Sequence, residues 1–169
     1  MQLEQTSWME VREKLKNPQG IIMATGSTEQ HGPIGLIGTD TICSETIASD
    51  VAARANMYLA PSIGFTPAEF NMKFPGTISV SEQTFKSLLR DVTSSLLKHG
   101  FEYVLIVNGH GANIDPIKDV MIDFKNKLFF KSWWDFPTVK NIRNKEFGDW
   151  EGMHATPSEI SITQINQRV

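Results

Sequence analysis

Three of the chain's four histidines, His31, His110 and His154, fall in loop-like segments rather than on helical or strand faces. His31 belongs to Gly26-Ser27-Thr28-Glu29-Gln30-His31-Gly32-Pro33, and Asp40 follows it after a glycine-rich return. Glutamate, histidine and aspartate offer oxygen and nitrogen ligands that suit Zn, Mn or Fe and need no cysteine. In extended backbone, residues i and i+2 point the same way. Glu29 and His31 can therefore face one cavity, and Asp40 can return to it with a carboxylate able to bridge two ions. His110 stands between Gly109 and Gly111, which permit a tight turn and close approach of another group. Taken singly, the same residues read as a solvated Glu29, a loop-filling His31, an Asp40 that caps a helix, and an Asn108–Asn113 turn with an incidental His110. Their joint occurrence on two loops favours a metal site.

His154 directly precedes Ala155-Thr156-Pro157-Ser158-Glu159. Thr156 and Glu159 have the spacing of a capping box with proline at the first helical position, which accounts for Glu159 structurally. A histidine at a helix start can also pass a proton beside a developing oxyanion. Trp150 reads either as a loop anchor or as a wall against a planar substrate, and Trp133, Trp134 and Phe136 read mainly as core. His99, at a helix end before Gly100, is structural. Cys43 reads as a buried, inert thiol.

These residues need elements to position them. Ser7 to Leu15 reads as a capped amphipathic helix with Trp8, Val11 and Leu15 on one face. Ile21-Ile22-Met23-Ala24 suits a buried strand, and Gly26 to Thr39 a glycine-rich loop. A helix carrying Ile42, Ile47, Ala48, Val51 and Ala52 follows, then a strand over Met57 to Pro61. The irregular stretch from Ser62 to Gly76 is of the length that is more often functional than idle. The clearest helix, Ser81 to His99, has Phe85, Leu88, Leu89, Val92 and Leu96 as its stripe. Tyr103-Val104-Leu105-Ile106-Val107 is the best strand. Asp115-Pro116 reads as the cap and first turn of the next helix, Leu128 to Trp134 as a strand, Pro137 to Gly152 as irregular, and Thr156-Pro157 as the start of a last helix. Strands alternating with helices give an α/β fold with a mainly parallel sheet covered on both faces. Both glycine-rich loops follow strands, so both open on the rim where such sheets bind ligands.

The composition narrows the function classes. With 169 residues, one domain spanning 1–169 is expected. The formal net charge of −3, without a basic run, offers no footprint for nucleic acid or anionic lipid. One cysteine excludes an intramolecular disulfide and a cysteine-based zinc or iron–sulfur site. No apolar run approaches the ~18 residues of a membrane span, and the first residues lack a signal-peptide pattern, so a cytoplasmic protein is expected.

The motifs resemble the creatininase (creatinine amidohydrolase) family. The resemblance rests on Gly26 to Pro33, Gly38-Thr39-Asp40-Thr41, Phe74-Pro75-Gly76-Thr77-Ile78-Ser79, Asn108-Gly109-His110-Gly111-Ala112-Asn113, and His154-Ala155 with Glu159 and Ser161, in family order. It implies a three-layer α-β-α sandwich and a binuclear centre of zinc or manganese, with iron a further candidate and one or two ions per chain. Glu29 and His110 would hold one ion, His31 the other, and Asp40 would bridge. His154 and Glu159 would be the catalytic pair and Trp150 would cover substrate. The implied activity is hydrolysis of a C–N bond in a small linear or cyclic amide by metal-activated hydroxide, in a homo-oligomer. The alternatives are a non-catalytic metal- or ligand-binding module of the same fold and a peptidase acting on a small peptide-derived precursor. Three departures stand out. Ala112 replaces a glutamate that binds metal in true creatininases, Thr156-Pro157 replaces Gly-Glu after His154-Ala155, and the sequence stops at Val169 where relatives continue beyond this motif, as expected of either a compact variant or a truncated one.

Overall fold

The computed structural model describes residues 1–165, so positions 166–169 of the expected domain lie outside the described residues. Its sheet holds β1 (Ile21–Thr25), β2 (Tyr58–Ile63), β3 (Val104–Asn108) and β4 (Leu128–Ser132) in the order β2-β1-β3-β4. All three pairings are parallel, with Ile21 beside both Tyr58 and Val104, and Val104 beside Leu128. Every residue of β1 is buried, as a strand covered on both faces requires.

The helices are α1 (Trp8–Lys14), α2 (Thr39–Arg54), α3 (Glu82–Lys98), α4 (Ile114–Asp123), α5 (Pro137–Glu146) and α6 (Pro157–Thr163). Two apolar clusters sit on opposite faces of the sheet. Ile21, Met23, Val104 and Ile106 meet Phe85 and Leu89 of α3, Ile117 and Val120 of α4, and Val11 and Leu15 beside α1. Ile22, Ala24 and Val107 meet Cys43, Ala48 and Ala52 of α2, together with Trp133. Each large apolar side chain so buried contributes roughly 1.5–3 kcal/mol. The chain is therefore an α/β, three-layer α-β-α sandwich with a parallel central sheet.

Several details differ from the sequence reading. Trp8 shares its side of the helix with Val11 and Leu15 but is 67% exposed, with the Arg12 guanidinium 4.7 Å from its ring centroid. Leu88 lies at the margin of the α3 stripe. Asp115 does not cap α4: a 3-10 turn over Gly111–Asn113 runs straight into that helix and moves the cap to Asn113. The strand expected through Trp134 ends at Ser132, where a 3-10 turn begins. The stretch from Pro137, expected to be irregular, opens with α5, a helix with no buried residue and hence no apolar stripe to read.

The order of the strands matters for function. The chain winds from β1 outward to β2, then crosses back to the other side of β1 to form β3 and β4. The reversal lies between β1 and β3, and a crevice opens beyond the carboxyl ends of strands at such a point.

Candidate metal centre and active-site cavity

The ends of β1 and β3 are brought against the first turn of α2 by two glycines. A Cβ at Gly26 would collide with the backbone of Thr41, and one at Gly109 with the carbonyl of Asp40. Asp40 thus enters the gap between the two strands. It lies inside the first turn and not at the cap, which is Gly38. Its side chain is spent entirely on the cluster. Oδ1 faces His31 Nε2 at 3.0 Å, while Oδ2 faces His110 Nδ1 at 2.8 Å and accepts from Ser27 Oγ at 2.9 Å.

The turn after β3 is a hydrogen-bonded turn that also carries His110 to the cluster. Asn108 Nδ2 donates to the His110 carbonyl at 2.9 Å, and Asn113 Nδ2 donates to Asn108 Oδ1 at 3.3 Å and to the Gly26 carbonyl at 2.9 Å. These bonds fix the backbone from which His110 reaches Asp40.

Three imidazoles share one arrangement. His31 Nδ1 lies 3.1 Å from the Glu29 carbonyl, His110 Nε2 2.9 Å from that of Pro67, and His154 Nε2 2.8 Å from that of Gln30. A carbonyl only accepts, so the His31 and His110 nitrogens carry a proton there, whereas His154 Nε2 also lies 3.1 Å from the donor Nε2 of Gln30; each ring presents its other nitrogen to a carboxylate. His110 Nδ1 is 3.3 Å and His154 Nδ1 3.6 Å from Glu29 Oε1. Anchoring of the distal nitrogen is how metal-binding histidines are usually oriented.

Glu29 is fully buried; Asn71 Nδ2 donates to its Oε2 at 2.8 Å, and Gln30 Nε2 donates to Asn71 Oδ1 at 3.0 Å. Its Oε1 has no hydrogen-bond partner. A buried carboxylate oxygen left unpaired is costly, and a cation would satisfy it. Ligand atoms of Glu29, Asp40 and His110 lie within 4.8 Å of one another, as do those of His31, Asp40 and Glu159 and those of Glu29, His31 and His154. The donor set is carboxylate and imidazole only, which fits a divalent ion of the Zn or Mn type.

The electrostatics follow from this packing. Burial alone would push the Asp40 carboxyl up, but the bonds from His110 and His31 outweigh it and hold it well below the usual carboxylate range. Burial opposes charge on His31 and His110, yet their bonds to Asp40 prevail and raise both above free imidazole. Burial holds the Glu159 carboxyl above its ordinary value. The Cys43 thiol is pushed up by burial and is inert, as expected.

The structure brings Glu29, His31, Asp40, His110, His154 and Glu159 together. Glu159 closes the capping box read from the sequence, with Oε2 accepting from Thr156 N at 2.7 Å, and at the same time stands beside His31 and Asp40. It offers the second cluster a carboxylate despite Ala112, which lines the cavity with only a methyl group. Trp150 is not brought in. It ends a 3-10 turn over Gly148–Trp150, is 86% exposed and does not line the cavity, because the turn that follows α5 carries it into solvent.

The cavity itself has a volume of about 820 Å³ and is walled by Phe70, Trp133, Trp134, Arg143 and Met153 around the cluster. Phe70 stacks on His110 with ring centroids 6.0 Å apart. Sequence reasoning missed Gln30, Asn71, Phe70 and Arg143 as site residues. The length of the irregular 62–76 stretch was a signal for Phe70 and Asn71, whereas Arg143 sits on the helix that the sequence did not announce.

Comparison with known proteins identifies the family and the fold. The family described as Creatininase, creatinine amidohydrolase, matches residues 4–167. A 3-dehydro-scyllo-inosose hydrolase from Thermotoga maritima is 35% identical over 104 residues, covering 60% of this chain and 33% of its own length. A mycofactocin precursor peptide peptidase from Mycobacterium ulcerans is 31% identical over 107 residues, covering 58% and 42%. The chain thus spans about a third to two-fifths of these two relatives. The creatinine amidohydrolase of Pseudomonas putida is 22% identical over 176 residues, covering 92% and 68%. Among solved structures, one described as Creatininase Mn matches with a TM-score of 0.81 at 20% identity, over 96% of this chain and 71% of its own. A Zn-Zn type creatininase variant matches with a TM-score of 0.78 at 21% identity, over 96% and 70%.

Proposed function

Since the chain belongs to the creatininase family, we propose that it is a metal-dependent amidohydrolase that cleaves a C–N bond of a small linear or cyclic amide. One observation carries the reading: three imidazoles, each anchored to a backbone carbonyl, converge on buried carboxylates of which one oxygen, Glu29 Oε1, accepts no hydrogen bond. Glu29, Asp40 and His110 would hold one ion, His31, Asp40 and Glu159 a second, with Asp40 shared between them. Zinc and manganese fit these donors and are the ions in the matching creatininase structures. A divalent ion in such a site supplies a Lewis acid for an amide carbonyl and makes water a nucleophile near neutral pH.

The chain's own residues do the rest. Asn71 and Ser27 hold the Glu29 and Asp40 carboxylates, so these ligands need no reorganisation when substrate arrives. Gln30 fixes the His154 ring with Nδ1 toward the cluster, and that atom is placed to take a proton and return it to the departing nitrogen. Phe70, Trp133 and Trp134 supply apolar walls that exclude water from the scissile amide.

A peptidase reading has specific support in the relative described as a mycofactocin precursor peptide peptidase, and a cavity of about 820 Å³ has room for a short peptide. Self-association also belongs to the proposal: Ile34, Phe65, Phe70, Phe74 and Ile78 are all exposed on the loops after β1 and β2.

The experiment is a screen of lactams, N-formyl amides and short peptides, run on protein purified without chelator and again after chelation and metal re-addition. The expected result is cleavage that is lost with the metal and restored by Zn²⁺ or Mn²⁺. Stoichiometric metal with no cleavage of any compound favours the binding-module alternative, and cleavage that survives chelation contradicts the proposal.

A further inference from the structure

The cavity wall contains one cation that neither the carboxylate cluster nor the proton-transfer residue uses. Arg143, on α5, approaches Glu151 Oε1 with Nε and Nη2, both at 2.8 Å, and its guanidinium lies 5.7 Å from the ring centroid of Trp133. Ser158 Oγ donates to the same Glu151 oxygen at 2.5 Å. The pair therefore sits in a fixed frame between α5 and the first turn of α6. The Arg143 side chain keeps 17% of its surface and forms part of the cavity wall. Its Nη1 has no hydrogen-bond partner among the described residues, and no other lysine or arginine lines the cavity.

A guanidinium carries five N–H donors in a planar fork. Glu151 engages Nε and Nη2 and holds the fork still, while Nη1 keeps its donors without a partner among the described residues. A held fork loses little entropy on binding and matches a planar carboxylate well. A phosphate would call for more than this single cation. The aromatic wall next to it accepts an apolar or planar body between the two polar ends.

Resting on the amidohydrolase reading above, we propose that Arg143 determines specificity: the amide that this chain cleaves carries a carboxylate, which the free side of the Arg143 fork binds while the scissile carbonyl lies at Glu29, Asp40 and His110. The substrate class is then that of N-acyl amino acids and lactam acids, with neutral amides as poor ligands.

The test uses metal-loaded protein and matched probes: 5-oxoproline against its carboxamide, and N-formylglycine against N-formylglycinamide. Calorimetry measures binding to the wild type, to a double variant Arg143→Met with Glu151→Gln that strands neither charge, and to Arg143→Lys, which keeps the ion pair if the double variant misfolds. The acid of each pair is expected to bind about tenfold or more tightly than its amide, the size of a charge-assisted hydrogen bond. The double variant is expected to lose that preference with neutral-probe binding and metal content unchanged, and Arg143→Lys to lose part of it. Equal binding of acid and amide by the wild type, a preference that survives in the variants, or equal weakening of both probes overturns the assignment; the last result would mark Arg143 as a clamp only. A preference that depends on Arg143 in a protein that hydrolyses no probe supports the anchor and refutes the hydrolase reading alone.

Discussion

The loops that leave β1 and β3 and the segment that links α5 to α6 both contribute to the cavity, but they are built differently. In the first region Glu29, His31, Asp40 and His110 are all at most 4% exposed, and their polar atoms are held by Ser27, Asn71 and backbone carbonyls. In the second, Trp150 is 86% and Met153 fully exposed, and Ala155 adopts φ 51° without being glycine. What fixes that segment is a short polar chain: Arg143 to Glu151, Ser158 to Glu151, and Thr156 to Glu159. The difference separates two tasks. Holding a cation demands a rigid, desolvated cluster, whereas admitting and releasing a substrate demands a wall with fewer buried contacts.

That contrast can be broken most directly at Asp40. Asp40→Asn should abolish stoichiometric metal and cut turnover by more than about a hundredfold, since it removes the carboxylate common to two clusters. Metal analysis and a rate assay check both, and retained metal at full stoichiometry would count against a shared ligand. On the other side of the contrast, His154→Ala should lower turnover by about 10²–10⁴ with metal content intact, because a proton-transfer group and not a ligand is lost. Loss of metal in that variant would place His154 with the rigid region. Asn71→Leu should weaken metal binding by about 10–100-fold in a competition titration, with the melting temperature little changed, as removal of a group that orients a ligand does.

The smallest effect is expected at Glu151. Burial raises its carboxyl, but the bonds from Ser158 and Arg143 prevail and lower it. A carboxyl lowered in the folded state stabilises above its unfolded value, and that stability is lost as pH falls through the folded value. Glu151→Gln should therefore lower the melting temperature by a few degrees at neutral pH; the gap to wild type should start to narrow near the unfolded value for glutamate, about 4.3, and close only once the pH falls below the lowered folded value. A gap that persists unchanged in acid would mean that the ion pair does not hold the segment.

The same division explains what the sequence disclosed. β1 and β3 were legible because strands buried on both faces are continuous apolar runs, and the loops after them because glycine beside His31 and His110 has few other uses. The α/β order then told where both loops must open. α5 was not legible, since Val139 and Ile142 are too sparse to show a helical period in an otherwise polar stretch. Trp150 was expected to cover substrate from the family resemblance, with a loop anchor as the other reading, but a place in the chain says nothing about which way a 3-10 turn directs its last side chain. Asn71 and Gln30 escaped because amides that position ligands are common in any loop. Glu159 shows a different limit: the capping box explained it fully, and only the approach of α6 to α2 reveals that the same carboxylate can also serve His31 and Asp40.

The central claim is that the buried acids and imidazoles between β1 and β3 are a cation site. Crystals grown with Mn²⁺ or Zn²⁺ and measured at the absorption edge of that ion test it directly. The account predicts an anomalous peak within bonding distance of Asp40, His110 and Glu29, with any second peak at His31 and Glu159. An empty map there, at saturating metal, would contradict it.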